Sequence, residues 1–191
     1  MNKSVLALSA AALLGAASAQ AASYAIDPTH TFVTFEIDHN KTSTNRGRFD
    51  QVEGSIQFDR TARTGKADVT VHIASVNTGT PDFDQHLRAP DIFNAGQFAT
   101  ARFVSTRFKF DGDEVDEVEG ELTLLGRTLP VTLDAEKFNC YASPQQQGKE
   151  VCGGDFEAKI DRSRWGLDFG LDWGAAREVK IVIQIEAVRQ D

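Results

Sequence analysis

The sequence predicts an all-β fold: an antiparallel eight-stranded barrel with one short helical insert. Two observations carry this reading. Apolar and polar residues alternate through some eight segments, several near ten residues long, with turn-forming residues between them. Long antiparallel strands whose edges are not blunted by proline or charge favour closure over an open sheet. One stretch alone, around Pro81, switches to helical spacing.

A targeting segment precedes the fold. Lys3 opens it, residues 5–17 form an uncharged run rich in Ala and Leu, and small residues stand at Ala17, Ala19 and Ala21. This is the pattern of a cleaved bacterial-type secretory signal. Residues 1–21 are therefore read as signal peptide and 22–191 as one domain, with a periplasmic destination. The run is too short to span a bilayer well, so no stable membrane anchor is expected. The formal net charge is −8, and losing Lys3 makes it more negative. An acidic chain without a basic cluster argues against nucleic acid and against anionic lipid surfaces.

In the first strand Val33, Phe35 and Ile37 alternate with Thr34, Glu36 and Asp38. Residues 45–47 read as a turn, and residues 48–59 as a second strand bent at Gly54. Thr64 and Gly65 turn the chain again. Residues 66–75 form a third strand with Val69, Val71 and Ile73 on one face. The period then changes. Thr80 is placed as an N-cap and Pro81 at the first helical position, so residues 81–88 form a helix that stops before Pro90. Asp91 can cap one more short turn, closing near Gly96. Strands resume at residues 100–110, 114–125, 128–138, 155–162 and 178–188. Between the last two, SRWGLDFGLDWGAA reads as a long structured loop.

The hairpin at residues 120–133 carries the most detailed expectation. Gly126 and Arg127 form the two central places of a type II′ turn. Leu124 then faces Leu129, Leu122 faces Val131, and Gly120 faces Leu133, giving one apolar face. In that register Pro130 falls where an N–H donor is wanted, so a bulge or a sheet edge is expected there.

The chain has two cysteines, Cys140 and Cys152, separated by a turn-rich segment. In an exported chain an even count favours a disulfide, here a staple across the base of a loop. Zinc is the competing reading, but neighbouring Cys or His to complete a site are missing from the sequence. His30 and His39 lie too far apart along an extended strand to share a metal. Asp84 and His86 are two apart on a helix and do not face each other, which argues against a catalytic dyad. The sequence holds no G-x-S-x-G, H-E-x-x-H, P-loop or dinucleotide fingerprint, so an enzyme, a metal site and a cofactor are not expected. The thirteen phenylalanines are either ordinary barrel core or the lining of a ligand cavity. Periodicity leaves both open.

The ordered set of motifs resembles a known family. HTFVTFEIDH at His30 to His39 is followed by Gly47-Arg48-Phe49 and Gly54-Ser55-Ile56. Asp84-Gln85-His86-Leu87, Asp91-Ile92-Phe93 and Ala101-Arg102-Phe103 come next, then GELTLLGRTLPVTL from Gly120 to Leu133. The string is similar to the YceI-like, polyisoprenoid-binding family, and the resemblance runs through the whole mature chain. It departs at Phe83, where an Arg is common, and at Ala99, where a Pro is usual. The resemblance implies a lipocalin-like barrel acting as a periplasmic carrier or scavenger. The implied ligand is a long amphiphile: a polyprenyl chain, an isoprenoid quinone or a fatty-acid derivative.

On this reading Phe35, Ile37, Phe58 and Phe103 contact the ligand inside the barrel. Phe83, Leu87 and Phe93 join them from the helical insert, which lies at one end and partly closes it. Asp84, His86 and Arg88 stand at the rim to orient a polar head. An insert that plugs a closed bottom is the competing placement. The reading leaves room for a homodimer. Two other readings stay open: a barrel enzyme, of isomerase or cyclase type, acting on a lipophilic substrate, and a solid barrel working through its surface.

Overall fold

The computed structural model describes residues 21–191, so the targeting segment, all but Ala21, lies outside the described residues. Eleven strands form one antiparallel sheet: β1 (Ala22–Ile26), β2 (Phe32–His39), β3 (Ser43–Phe49), β4 (Val52–Asp59), β5 (Thr64–His72), β6 (Val76–Asn77), β7 (Thr100–Asp111), β8 (Glu114–Leu124), β9 (Arg127–Ala142), β10 (Glu150–Asp161) and β11 (Glu178–Arg189). Neighbours run β1-β4-β5-β7-β8-β9-β10-β11, and β11 pairs back onto β1, closing a ring of eight. The remaining three continue strands of that ring. β11 holds β2 through Val179–Gln184 and β1 through Ala187–Arg189, so β1 and β2 form one kinked strand. β4 continues β3 and β6 continues β5 in the same way. Closure leaves no free edge along the ring, as strands this long require.

The helix α1 (Pro81–Leu87) is the single α-helix among the described residues. Thr80 stands at its N-cap with extended dihedrals, but its side chain caps no amide. Asp84 ties the helix down instead, accepting from the Thr78 backbone N–H and the Thr78 hydroxyl, both at 2.7 Å. Residues 91–96 follow as hydrogen-bonded turns. Short 3-10 turns, which the sequence reading lacked, occur at Ile73–Ser75, Pro144–Gln146, Arg162–Trp165 and Leu171–Trp173.

Three local expectations are corrected. The first is the 120–133 hairpin, where Leu124 pairs with Arg127, Leu122 with Leu129, and Gly120 with Val131. The turn residues are Leu125 and Gly126, with φ of 48° and 72°. Positive φ at both central places is a type I′ turn, not II′. Pro130 explains the choice. Pairs alternate between hydrogen-bonded and open outward from the closing Leu124–Arg127 pair, so Pro130, opposite Glu121, falls in an open pair where β8 asks for no donor. The shift is two residues, so the apolar face is preserved.

The second correction concerns the turn at residues 45–47, which lie inside β3. The chain reverses at Asn40 and Lys41, both at φ 57°, with the Thr42 N–H donating to His39 O. The third concerns Gly54 and Gly65, which bend nothing. Both sit in regular ladder positions, and the breaks fall at residues 50–51 and 60–63.

Those glycines serve the interior. A Cβ on Gly47 would strike the Phe35 ring, one on Gly65 would lie 2.6 Å from Phe108 Cδ1, and one on Gly120 would meet the Phe103 ring. Each bare backbone lets an inward phenylalanine lie flat along the barrel wall rather than cross the lumen. Gly54 serves a different contact, since a Cβ there would strike the Asp68 carbonyl.

Candidate functional site

Inward side chains fall into two apolar clusters, one at each end. Phe35, Phe49, Ile73, Leu87, Trp165 and Leu167 anchor the helix end, and Phe83, Ile92 and Phe93 pack onto it. Tyr24, Phe58, Phe156 and Cys152 anchor the other, with Phe110 and Phe138 beside them. Phe103 touches both clusters and marks the middle.

Between the clusters the barrel is hollow. A cavity of about 700 Å³ runs from Phe138 and Cys152 at one end to Phe83 and Phe169 at the other. The strand pattern carries the same information. Ile181, Ile183 and Ile185 face this space in mid-strand yet none is fully buried, because part of their surface belongs to the hollow. Its walls are overwhelmingly aliphatic and aromatic, the lining that small-molecule sites of this volume share.

The cavity opens at the helix end. Apart from Arg102, which is ion-paired with Asp68, the exposed lining side chains there lie at the tip of the β2–β3 hairpin (Asp38, His39, Asn40), on α1 (His86) or on the loop after β10 (Phe169, Trp173). The His86 ring meets Phe169 edge-on with centroids 5.1 Å apart, and Phe169 meets Trp173 at 5.6 Å. Trp173 is 78% exposed, an unusual degree for a tryptophan, and stands at the lip.

Of the residues singled out from the sequence, Phe35, Ile37, Phe58, Phe83, His86, Leu87, Phe93 and Phe103 all line this cavity. Asp84 and Arg88 are engaged elsewhere, Asp84 on Thr78 and Arg88 on the Ala74 carbonyl at 3.3 Å. Their side chains hold the helical segment in place.

Two groups were missed by sequence reasoning. One is the aromatic pair Phe169 and Trp173, inside the glycine-rich loop. The other is Arg162, which directly follows β10, is 8% exposed and lines the cavity. Its Nε donates to Ala176 O at 2.8 Å, Nη1 to Leu167 O at 2.6 Å and Nη2 to Phe169 O at 2.8 Å. Burial lowers its proton affinity below the usual guanidinium value. The available signal was positional: an arginine where a strand enters a loop of glycines and aromatics.

At the far end Tyr24 lines the cavity with its hydroxyl 2.6 Å from Glu150. Burial, reinforced by that carboxylate, pushes the phenol well above its ordinary value, so it keeps its proton. Cys140 and Cys152 are direct cross-strand partners and are disulfide-bonded, with Cα atoms 4.0 Å apart. The bond spans β9 and β10 beneath the 3-10 turn at Pro144–Gln146, as the sequence reading expected. Among the described residues no helix is long and apolar enough to cross a membrane.

A model of the YceI-like domain matches residues 24–187. Protein YceI of Escherichia coli is 38% identical over 194 residues, covering all of both chains. A YceI protein of Campylobacter jejuni has a crystal structure similar to this one, with TM-score 0.69 and 28% identity. That match covers 81% of this chain and 91% of the other. A polyisoprenoid binding domain from Saccharophagus degradans shares the fold at TM-score 0.65 and 16% identity, covering 88% of this chain and 99% of the other.

Proposed function

The chain belongs to the YceI-like family, and from that premise we propose that it is a periplasmic carrier of a long-chain amphiphile. The tail lies in the barrel and the head at the α1 end. One observation carries the reading: an apolar hollow of about 700 Å³ that reaches the surface at one end. At roughly 30 Å³ for each water-sized group, it holds on the order of twenty methylene-sized groups. Burying such a chain is favourable by about 25 cal/mol per Å² of apolar surface, so binding needs no chemistry. A polyprenyl chain, an isoprenoid quinone and a fatty-acid derivative all supply a tail of this kind.

Phe35, Ile37, Phe58 and Phe103 are assigned to the tail, and Phe83, His86, Leu87 and Phe93 to the mouth. Asp84 and Arg88 support the mouth by fixing α1 rather than by touching the head. The carrier is not catalytic on this reading. Tyr24, the titratable side chain at the far end of the cavity, has its proton held more tightly, the opposite of what a general base requires.

The test is to express the full chain with its own leader and purify it without detergent from the periplasmic fraction. Solvent extraction and mass spectrometry then identify what it holds. A prenyl or acyl chain near one per protein supports the reading, and a mature N-terminus at Ala22 supports the export route. Failure of both native and added chains to bind would remove the carrier reading.

A further inference from the structure

Among the described residues, Arg162 is the one buried charge on the cavity's surface, and the tail-binding role leaves it unused. It is 8% exposed, and its guanidinium is held by the carbonyls of Ala176, Leu167 and Phe169, so its position is fixed. A guanidinium has five N–H donors. Three are used, leaving one on each Nη atom without an acceptor among the described residues.

Arg162 also has no direct ion-pair partner among the described residues. No carboxylate oxygen of the described residues lies within ion-pair distance of it, although most other charged strand residues are paired across the outer face, as Lys180 is with Glu157 and Lys137 with Asp155. Three charged neighbours surround it. Asp168, exposed on the loop, and Asp161, turned to the Ser163 N–H and hydroxyl, favour its charge only from a distance, and Arg177 opposes it. A buried cation whose direct partners are all carbonyls is costly unless a counter-charge comes within reach.

The carbonyls that hold Arg162 belong to the loop forming the lip, since Leu167, Phe169 and Ala175 line the cavity beside it. The guanidinium therefore sits at the mouth end, where a head group stops when its tail runs toward Cys152. We propose that Arg162 makes the cavity selective for amphiphiles whose head is an anionic oxygen group, a carboxylate or a phosphate monoester, over neutral heads on the same tail. The inference rests on the carrier reading. Two spare, fixed N–H donors suit two oxygens of one anion, and charge-assisted bonds of this kind are the strong ones.

The experiment uses matched pairs on delipidated protein: oleate with oleyl alcohol, and geranylgeranyl monophosphate with geranylgeraniol, by displacement of a fluorescent acyl probe. The anionic member of at least one pair should bind at least about tenfold more tightly, the scale of one hydrogen bond to a charged group. A preference confined to the first pair identifies carboxylates, and one confined to the second identifies phosphates. Folded R162Q should bring the ratio close to one, since any loss through the loop is shared by both members of a pair and cancels in the ratio. R164Q, at an exposed arginine outside the cavity, should keep the preference.

Because Arg162 also pins the loop, a second measurement needs no variant. The carboxyl of carbon-13-labelled oleate bound to the native protein should titrate below the free acid's value. Equal binding within both pairs, a preference surviving in folded R162Q, or a bound carboxyl titrating at or above the free value overturns the head-group assignment alone. Binding of no member of either pair overturns the carrier reading and this one with it.

Discussion

Replacing Gly120 by Ala should shorten the chain the barrel can hold. A Cβ at that position would lie 2.6 Å from Phe103 Cε2 and 2.7 Å from Val104 O, closer than either atom tolerates. The Phe103 ring must leave the wall for the lumen it faces, and the β7 backbone at Val104 must shift as well. A ring of about seven water-sized groups takes on the order of 200 Å³, somewhat over a quarter of the 700 Å³ hollow. Overpacking of this kind costs about 1–3 kcal/mol of stability, which the rest of the barrel can bear.

The cost to a ligand depends on its length. Each methylene kept out of the hollow forfeits up to about 0.8 kcal/mol. A chain that fills the cavity should lose at least about tenfold in affinity, while one of half its length should lose less than about threefold. Titration calorimetry with long and short chains bearing the same head reads the difference, with denaturant melts confirming that the variant is folded. Gly120→Ala combined with Phe103→Ala should restore most of the long chain's affinity, because the displaced ring is then gone. Equal losses for both chains, or no rescue in the double variant, would refute the idea that glycines keep this lumen open.

Reducing the Cys140–Cys152 bond, or replacing both cysteines by Ala, should cost about 3 kcal/mol in urea unfolding, set by the short loop it closes. Tyr24→Phe should remove an alkaline limb from the stability profile. The folded phenol titrates above its unfolded value of about 10, so its contribution is complete below that pH and fades as pH rises past it. The variant's curve should fall less steeply than the parent's there, the remaining slope coming from Tyr141, Lys109 and Lys180, whose folded values are also raised. Asp84→Ala should cost about 1–2 kcal/mol by freeing the Thr78 donors, and should speed ligand release in stopped-flow experiments, since α1 borders the mouth.

The fold was legible because its signals are local. Alternation in residues 33–37 and, but for Val182, in residues 179–185, and the Thr80-Pro81-Asp82 start of α1, depend on nearest neighbours and survive tertiary context. The glycines misled because glycine has two uses. Gly47 and Gly65 read as turns, yet each is a bare patch of wall under a phenylalanine from another strand, a contact between residues far apart in sequence. At the 120–133 hairpin the faces were legible and the register was not, since a shift of two residues leaves the faces unchanged. The phenylalanines of the cavity could be named but not divided between filling and lining. That depends on the space left after the barrel closes. Arg162 and Trp173 sat in a stretch without periodicity, and only the folded loop shows that one is buried at the cavity and the other exposed at its lip.

The central claim is that an apolar chain enters this hollow. Methyl-labelled protein titrated with a prenyl or acyl chain tests it most directly. The account expects intermolecular contacts from the chain to the methyls of Val118, Leu133 and Ile183, deep in the cavity, and none to those of Val104 and Val182 outside its lining. Contacts confined to the lip around Phe169 and Trp173, with the deep methyls unmoved, would contradict it.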